Sequence, residues 1–142
     1  MSPARNGYTL IEMAVVLVIL AIAGAVAVPA FAALRPQRAL DGAAARVVDA
    51  LRMARERAVT GGRTTELVID SANARAWLEP RDVPFTLDLP DGCRLTGGAR
   101  IATRFAPDGT ASGDSPGFAC GTAHATASVD PLTGRVRVVE SP

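Results

Sequence analysis

The sequence predicts an α+β chain: one long N-terminal helix followed by a small antiparallel β-sheet or sandwich. Three observations predict it. Met13 to Leu34 is a run of 22 residues without a charge. Leu40 to Ala58 continues with apolar residues at helical spacing. After Gly61-Gly62 that period gives way to short alternating segments, two of them closed by Pro-Asp-Gly turns.

The uncharged run would extend roughly 33 Å as a helix, enough to cross a bilayer hydrocarbon core. Glu12 is the one acid in the apolar block, near its start. A carboxylate there costs about 2.5–3.5 kcal/mol on insertion scales, so it calls for a functional explanation. A short polar leader, Met1 to Gly7, comes first. An ordinary single-pass anchor and a cleavable secretory signal ending at Ala30-Phe31-Ala32 also fit the apolar run, but both leave Glu12 unexplained.

Leu40, Ala44, Val47, Leu51, Ala54 and Ala58 form one stripe on an amphipathic helix. Arg46, Arg52, Arg55, Glu56 and Arg57 mostly lie off it and read as a solvated face; contact with neighbouring subunits or acidic lipid is the functional reading. Pro29 and Pro36 each remove an intrahelical hydrogen bond. A single bent helix from about Tyr8 to Thr60 is therefore expected, closed by Gly61-Gly62. Its first half would lie in lipid and its second half would pack on the globular domain.

Glu66 to Ile69 and Arg75 to Leu78 read as a hairpin about Ser71-Ala72-Asn73. Phe85 to Leu89 and Ile101 to Phe105 alternate as strands. Ala111 to Gly121 is rich in Gly, Ser and Pro and reads as a loop. His124 to Val129 and Val136 to Val139 supply the last strands.

Beyond the leader and the uncharged run about 108 residues remain, enough for one small domain with its own core. All 15 cations are Arg, which excludes a Schiff-base or P-loop lysine. Net charge is +1; without Arg5 of the leader it is 14 Arg against 14 acids, so overall charge suggests no nucleic-acid partner. Gly113-Asp114-Ser115-Pro116-Gly117 matches G-x-S-x-G, but no helical pattern follows the serine, so no catalytic residue is assigned. His124 stands alone, no C-x-x-C exists, and Asp108, Asp114 and Asp130 lack calcium-loop spacing; no metal or cofactor is expected.

Gly7-Tyr8-Thr9-Leu10-Ile11-Glu12 before an apolar run resembles the processing signal of type IV pilins and type II secretion pseudopilins. The resemblance implies cleavage by a prepilin peptidase between Gly7 and Tyr8 and N-methylation of Tyr8. It places the family's assembly glutamate on Glu12 and its helix-kinking proline on Pro29; the kink expected at Pro36 rests on its missing hydrogen bond alone. Tyr8 stands where Phe is usual, and the leader has one basic residue, Arg5, where several are common. The amine freed at Tyr8, on the same chain or a neighbour, is the natural cation for Glu12.

Three later stretches narrow the resemblance to the GspH/FimT family of minor pseudopilins. Leu51 to Ala58 is similar to its L-R-x-A-R-x-x-A helix. Phe105 to Gly113 is similar to F-x-P-D-G-T-x-x-G, and Gly134 to Val138 to the G-R-V-R-V strand. This implies a non-enzymatic subunit in the bacterial inner membrane: leader 1–7, transmembrane half-helix 8–34, amphipathic half-helix 35–61 and periplasmic β domain 62–142. The other pilins or pseudopilins would be its partners through the N-terminal helix. In that oxidising compartment Cys93 and Cys120 are expected to form a disulfide. Arg135 and Arg137, at i and i+2 on a strand, share a face and could contact phosphate. FimT-like members are associated with DNA uptake through a G-R-x-R motif; DNA is a possible partner that the neutral charge does not favour.

Overall fold

The computed structural model describes the backbone of residues 9–33, 35–80 and 84–141, and the side chains of these except 26–33. The chain divides into two compact units between Arg35 and Pro36.

The first unit holds α1, Leu10–Ala33. Thr9 caps it: its hydroxyl accepts the Glu12 backbone N–H at 3.3 Å. Pro29 lies within the helical run. α2 spans Arg35–Gly61. The chain is helical on both sides of position 34, which lies outside the described residues. Pro36 is the second residue of α2 as described. At the other end Gly62 adopts a φ of +61° and the Arg63 N–H reaches the Ala58 carbonyl at 3.3 Å. That pair is a glycine-based helix stop in which the turn beyond the helix satisfies its orphan carbonyls.

Among the described residues nine strands follow: β1 Thr65–Asp70, β2 Arg75–Glu79, β3 Phe85–Thr86, β4 Cys93–Thr96, β5 Arg100–Phe105, β6 Ala111–Gly113, β7 Gly117–Cys120, β8 Ala123–Val129 and β9 Val136–Ser141. They build two antiparallel sheets, in the orders β3-β2-β1-β5-β6 and β4-β7-β8-β9. The β1–β2 hairpin sets Leu67 opposite Leu78 and Ile69 opposite Ala76. Its turn is tied by the Asp70 carboxylate, which accepts the Ala72 N–H and the Asn73 side-chain amide.

Two expectations are corrected. Phe85 to Leu89 is a strand for only its first two residues. Leu87 donates to the Ala74 carbonyl at 2.7 Å and Leu89 donates back to Leu87, so the chain curls and buries Leu87 instead of extending the sheet. The Ala111 to Gly121 stretch is not a loop: it holds β6 and β7. β7 is an inner strand buried along its whole length. Small residues are what that position demands, because a Cβ on Gly117 would run into the Thr96 hydroxyl.

One core joins the two sheets to α2. Leu40, Val47, Leu51, Ala54 and Ala58 of α2 are buried against Leu67, Ile69, Leu78, Ile101, Phe105 and Phe118. The sequence stripe is the buried face, with Ala43 and Ala50 added to it and Ala44 half-buried. No described side chain of α1 enters this core.

Cys93 and Cys120 stand opposite each other on β4 and β7 and are joined by a disulfide. Exchanging both for Ser is expected to lower the stability of the domain by about 3.5 kcal/mol, the chain-entropy value for ends separated by 27 residues. A denaturant titration of the double variant, beside non-reducing peptide mapping of the parent, measures it. An unchanged midpoint would refute the stabilising role.

Candidate functional site

The first candidate site is the start of α1. Gly7 and Tyr8 lie outside the described residues. Glu12 is the third residue of the helix and is exposed. Thr9 and Glu12 stand in the Thr-x-x-Glu spacing of a capping box, a local reason for an acid here that the sequence reading missed. The signal was present as those two residues three apart. The acid also sits at the positive end of the helix dipole.

The described side chains of α1, Leu10 to Ala25, are exposed on every side, with Leu10, Leu17, Ile19 and Ile22 among them. A helix apolar all round suits lipid or packing among other helices. Among the described residues, no helix is long and apolar enough to cross a membrane.

The second candidate is the outer surface of the two sheets, where the charges differ. On the five-stranded sheet they are paired. Arg104 meets Glu66 at 2.8 Å, and Arg100 meets Glu79 at 3.2 Å while lying 5.5 Å from the Trp77 ring centre. On the four-stranded sheet Arg94, Ala119, His124 and Ser141 stand in one cross-strand row, and Ser128 faces Arg137 in another. Val138 pairs with the buried Ala127, so Arg137 is on the opposite, outer side. Arg135 precedes β9 and is exposed. Among the described residues, Arg94, Arg135 and Arg137 make no ion pair.

Behind Arg135 the three stretches singled out in the sequence converge. Gly134 is buried with a φ of +62°, and a Cβ there would strike the Gly109 carbonyl and the Arg55 side chain. Gly109 has a φ of +85°, and a Cβ on it would come within 3.1 Å of the Arg55 guanidinium. Arg55 is therefore not part of a solvated face: it is half-buried, and its Nε is enclosed. The α2 motif, the Pro-Asp-Gly turn and the Gly-Arg-Val-Arg-Val strand each place one residue in a single contact.

Both turns are stiffened by aspartate. Asp130 accepts the backbone N–H groups of Leu132 and Thr133 and the Thr133 hydroxyl; Asp108 accepts the N–H and hydroxyl of Thr110. The Thr133 N–H, then its hydroxyl, hold the Asp130 carboxyl below the usual range, and Thr110 does the same for Asp108. Each turn contact is thus complete above the ordinary carboxylate pKa and is lost as pH falls through the lower, folded value.

The Gly113 to Gly117 stretch leads into β7, whereas a nucleophile elbow leads into a helix. Asp114 is committed to β5: its N–H donates to the Ala102 carbonyl and its carboxylate accepts the Ala102 N–H. His124 is exposed on β8.

Residues 2–28 match the family model described as the prokaryotic N-terminal methylation motif. No curated protein and no solved structure matches the chain. The motif and the α+β architecture support a type IV pilin-like protein. The motif points to a structural protein anchored in a membrane by its N-terminal helix, processed by prepilin peptidase and assembled with other pilins.

Proposed function

We infer that the protein is a minor pseudopilin of the GspH/FimT type, a non-enzymatic subunit of the tip or priming complex of a type II secretion pseudopilus. Cleavage removes residues 1–7. The segment 8–34 anchors the mature chain once across the inner membrane, and the disulfide-bonded β domain faces the periplasm with 35–61 packed on it. The match of residues 2–28 to the methylation motif carries the pilin-like part. The contact among Arg55, Gly109 and Gly134 supports the narrower reading, because it gives three separately resembling stretches one structural purpose.

Processing is the direct test. The membrane-extracted protein is expected to begin at Tyr8 with one added methyl group, read by intact mass. A mature N-terminus at Ala33 would mean a secretory signal and would sink the proposal.

The exposed Arg94, Arg135 and Arg137 on the four-stranded sheet favour a second reading, a type IV pilus subunit that binds DNA for uptake. Under it, exchanging Arg135 and Arg137 for Gln weakens duplex binding similarly across sequences. It also flattens the log–log salt slope by about 0.9 per lost phosphate contact. A mature charge balance of 14 Arg against 14 acids favours the secretion reading, which expects no salt-sensitive DNA binding at physiological ionic strength.

A further inference from the structure

Among the described residues the two sheets have four edge strands, β3, β4, β6 and β9. Three are blunted by length: β3 has two residues, β6 three and β4 four. β9 has six, and its register with β8 runs through all of them without a bulge. It holds no proline and no lysine. Half of its backbone N–H and C=O groups point away from β8, and among the described residues no strand lies beyond them.

An inward-pointing charge also protects an edge. Glu140 faces inward, since it pairs with the buried Ala125, but its carboxylate accepts the Gln37 side-chain amide of α2 at 3.0 Å and is turned onto the helix. The middle of the strand is open on both faces. Val138 is on the core side, opposite Ala127, yet is 41% exposed; Val139 is on the outer side and is 56% exposed.

The flank of α2 supplies a floor beside this edge. Glu140 meets Gln37 at one end of β9, and Gly134, just before the other end, meets Arg55. Gln37 and Arg55 lie roughly five whole turns apart, hence on one line along the helix. Ala44 and Val48, both half-buried, fall within about 20° of that line. β9 therefore runs antiparallel to α2, with small apolar side chains beside its open edge. Charges there are few. Asp41 and Arg52 of α2, exposed and opposite in sign, stand outward of the line. Arg135 and Arg137 lie at the start of β9, and Asp130 offsets one of them: its carboxyl, held down first by Thr133, is also lowered by Arg137. That leaves a small cationic excess at one end of the edge and an apolar pair at its middle.

We propose that β9 receives an extended segment of a different pilin-like subunit as an added strand. The segment's backbone pairs with the free edge, its apolar side chains cover Val138, Ala44 and Val48, and an acidic residue meets the Arg135–Arg137 end. A row of alternating donors and acceptors is matched in register only by an extended chain, so a strand fits where a helix does not. The contact is small and belongs to the weak class of interfaces. It becomes effective when the N-terminal helices already hold the subunits side by side. It rests on the pilin-like reading for the identity of the neighbour, yet its test does not depend on processing, so the two can fail separately.

The full-length protein in detergent tests it by titration into a fluorescent synthetic peptide of alternating Thr and Val with one Glu near an end. Saturable binding is expected, with slowed hydrogen exchange in β9 and none in the opposite edge, β4. Peptides N-methylated at alternate residues identify the mode. Successive N–H groups of a strand point to opposite sides, and the Glu fixes the strand's direction. One methylated series should therefore lose affinity at least tenfold and the other should stay within threefold of the parent. These peptides leave the protein unaltered, so misfolding cannot imitate the result. Val138→Lys and, separately, Val139→Lys should each cut binding at least tenfold, with the unfolding midpoint read by Trp77 unchanged. No binding, equal effects of the two methylated series, or indifference to both lysines would overturn the proposal. So would a concentration-dependent homodimer that protects the β9 amides, since a second copy would then be the occupant. Displacement of the peptide by duplex DNA in a salt-sensitive way would overturn it too, since the surface would then serve a nucleic acid.

Discussion

Glu12→Val and Glu12→Gln are both expected to reach the membrane fraction and to fail to enter a filament. The two variants separate the two reasons for an acid at that position. Thr9 accepts the Glu12 backbone N–H, and Glu12 completes the capping-box spacing. Gln is as acceptable as Glu in a capping box, whereas Val is not. If the acid serves only the helix start, Glu12→Gln assembles normally and Glu12→Val loses about 1 kcal/mol of helix stability or less. If its charge pairs with the amine of Tyr8 on a neighbouring subunit, both fail alike. Insertion should not suffer, since either replacement is easier to bury than a carboxylate. Recovery of subunits from sheared or cross-linked filaments reads the outcome. Normal assembly of Glu12→Gln would end the charge-pairing role.

Phe118→Ala is expected to cost about 3–5 kcal/mol, a large part of the stability of a domain this size. Phe118 is fully buried on β7, opposite Leu95 of β4 and Ala125 of β8. The inner position of its strand leaves the site no free edge along which to collapse. Trp77, the chain's one tryptophan, is half-buried on the other sheet and reports unfolding by fluorescence. A guanidinium titration gives the midpoint. Leu132→Ala, at an exposed turn tip, is the control and should shift stability by no more than about 0.5 kcal/mol. A Phe118→Ala loss as small as the control's would mean that β7 is not at the centre of the core.

What the sequence made legible follows from how local each signal is. The α2 stripe was readable because a 3.6-residue period repeats over five turns and a glycine stop ends it. The β1–β2 hairpin was readable because its turn chemistry lies between its strands. β7 was not, because Gly117 owes its place to Thr96 and Cys120 to Cys93 on another strand, and small residues in a row imitate a loop. Arg55 was misread for the same reason: the glycines that enclose it lie over 50 and nearly 80 residues further on. Phe85 to Leu89 alternates well, but the Ala74 carbonyl captures the Leu87 N–H and takes the segment out of the sheet.

The division of the chain into two units has an evolutionary corollary. Among the described residues, every buried core side chain belongs to Leu40 or a later residue, and the side chains of α1 from Leu10 to Ala25 are exposed. Substitutions at the exposed α1 positions, Leu10 to Ala25, replace no side chain of that core. Their fitness effects depend on whatever surrounds the helix, while those in the domain depend on its own interior. The anchor is free to co-vary with the anchors of other subunits, and the domain is free to diversify, without either drift spoiling the other. A graft of this β domain behind a foreign pilin helix should take the destination set by that helix and keep its own surface chemistry.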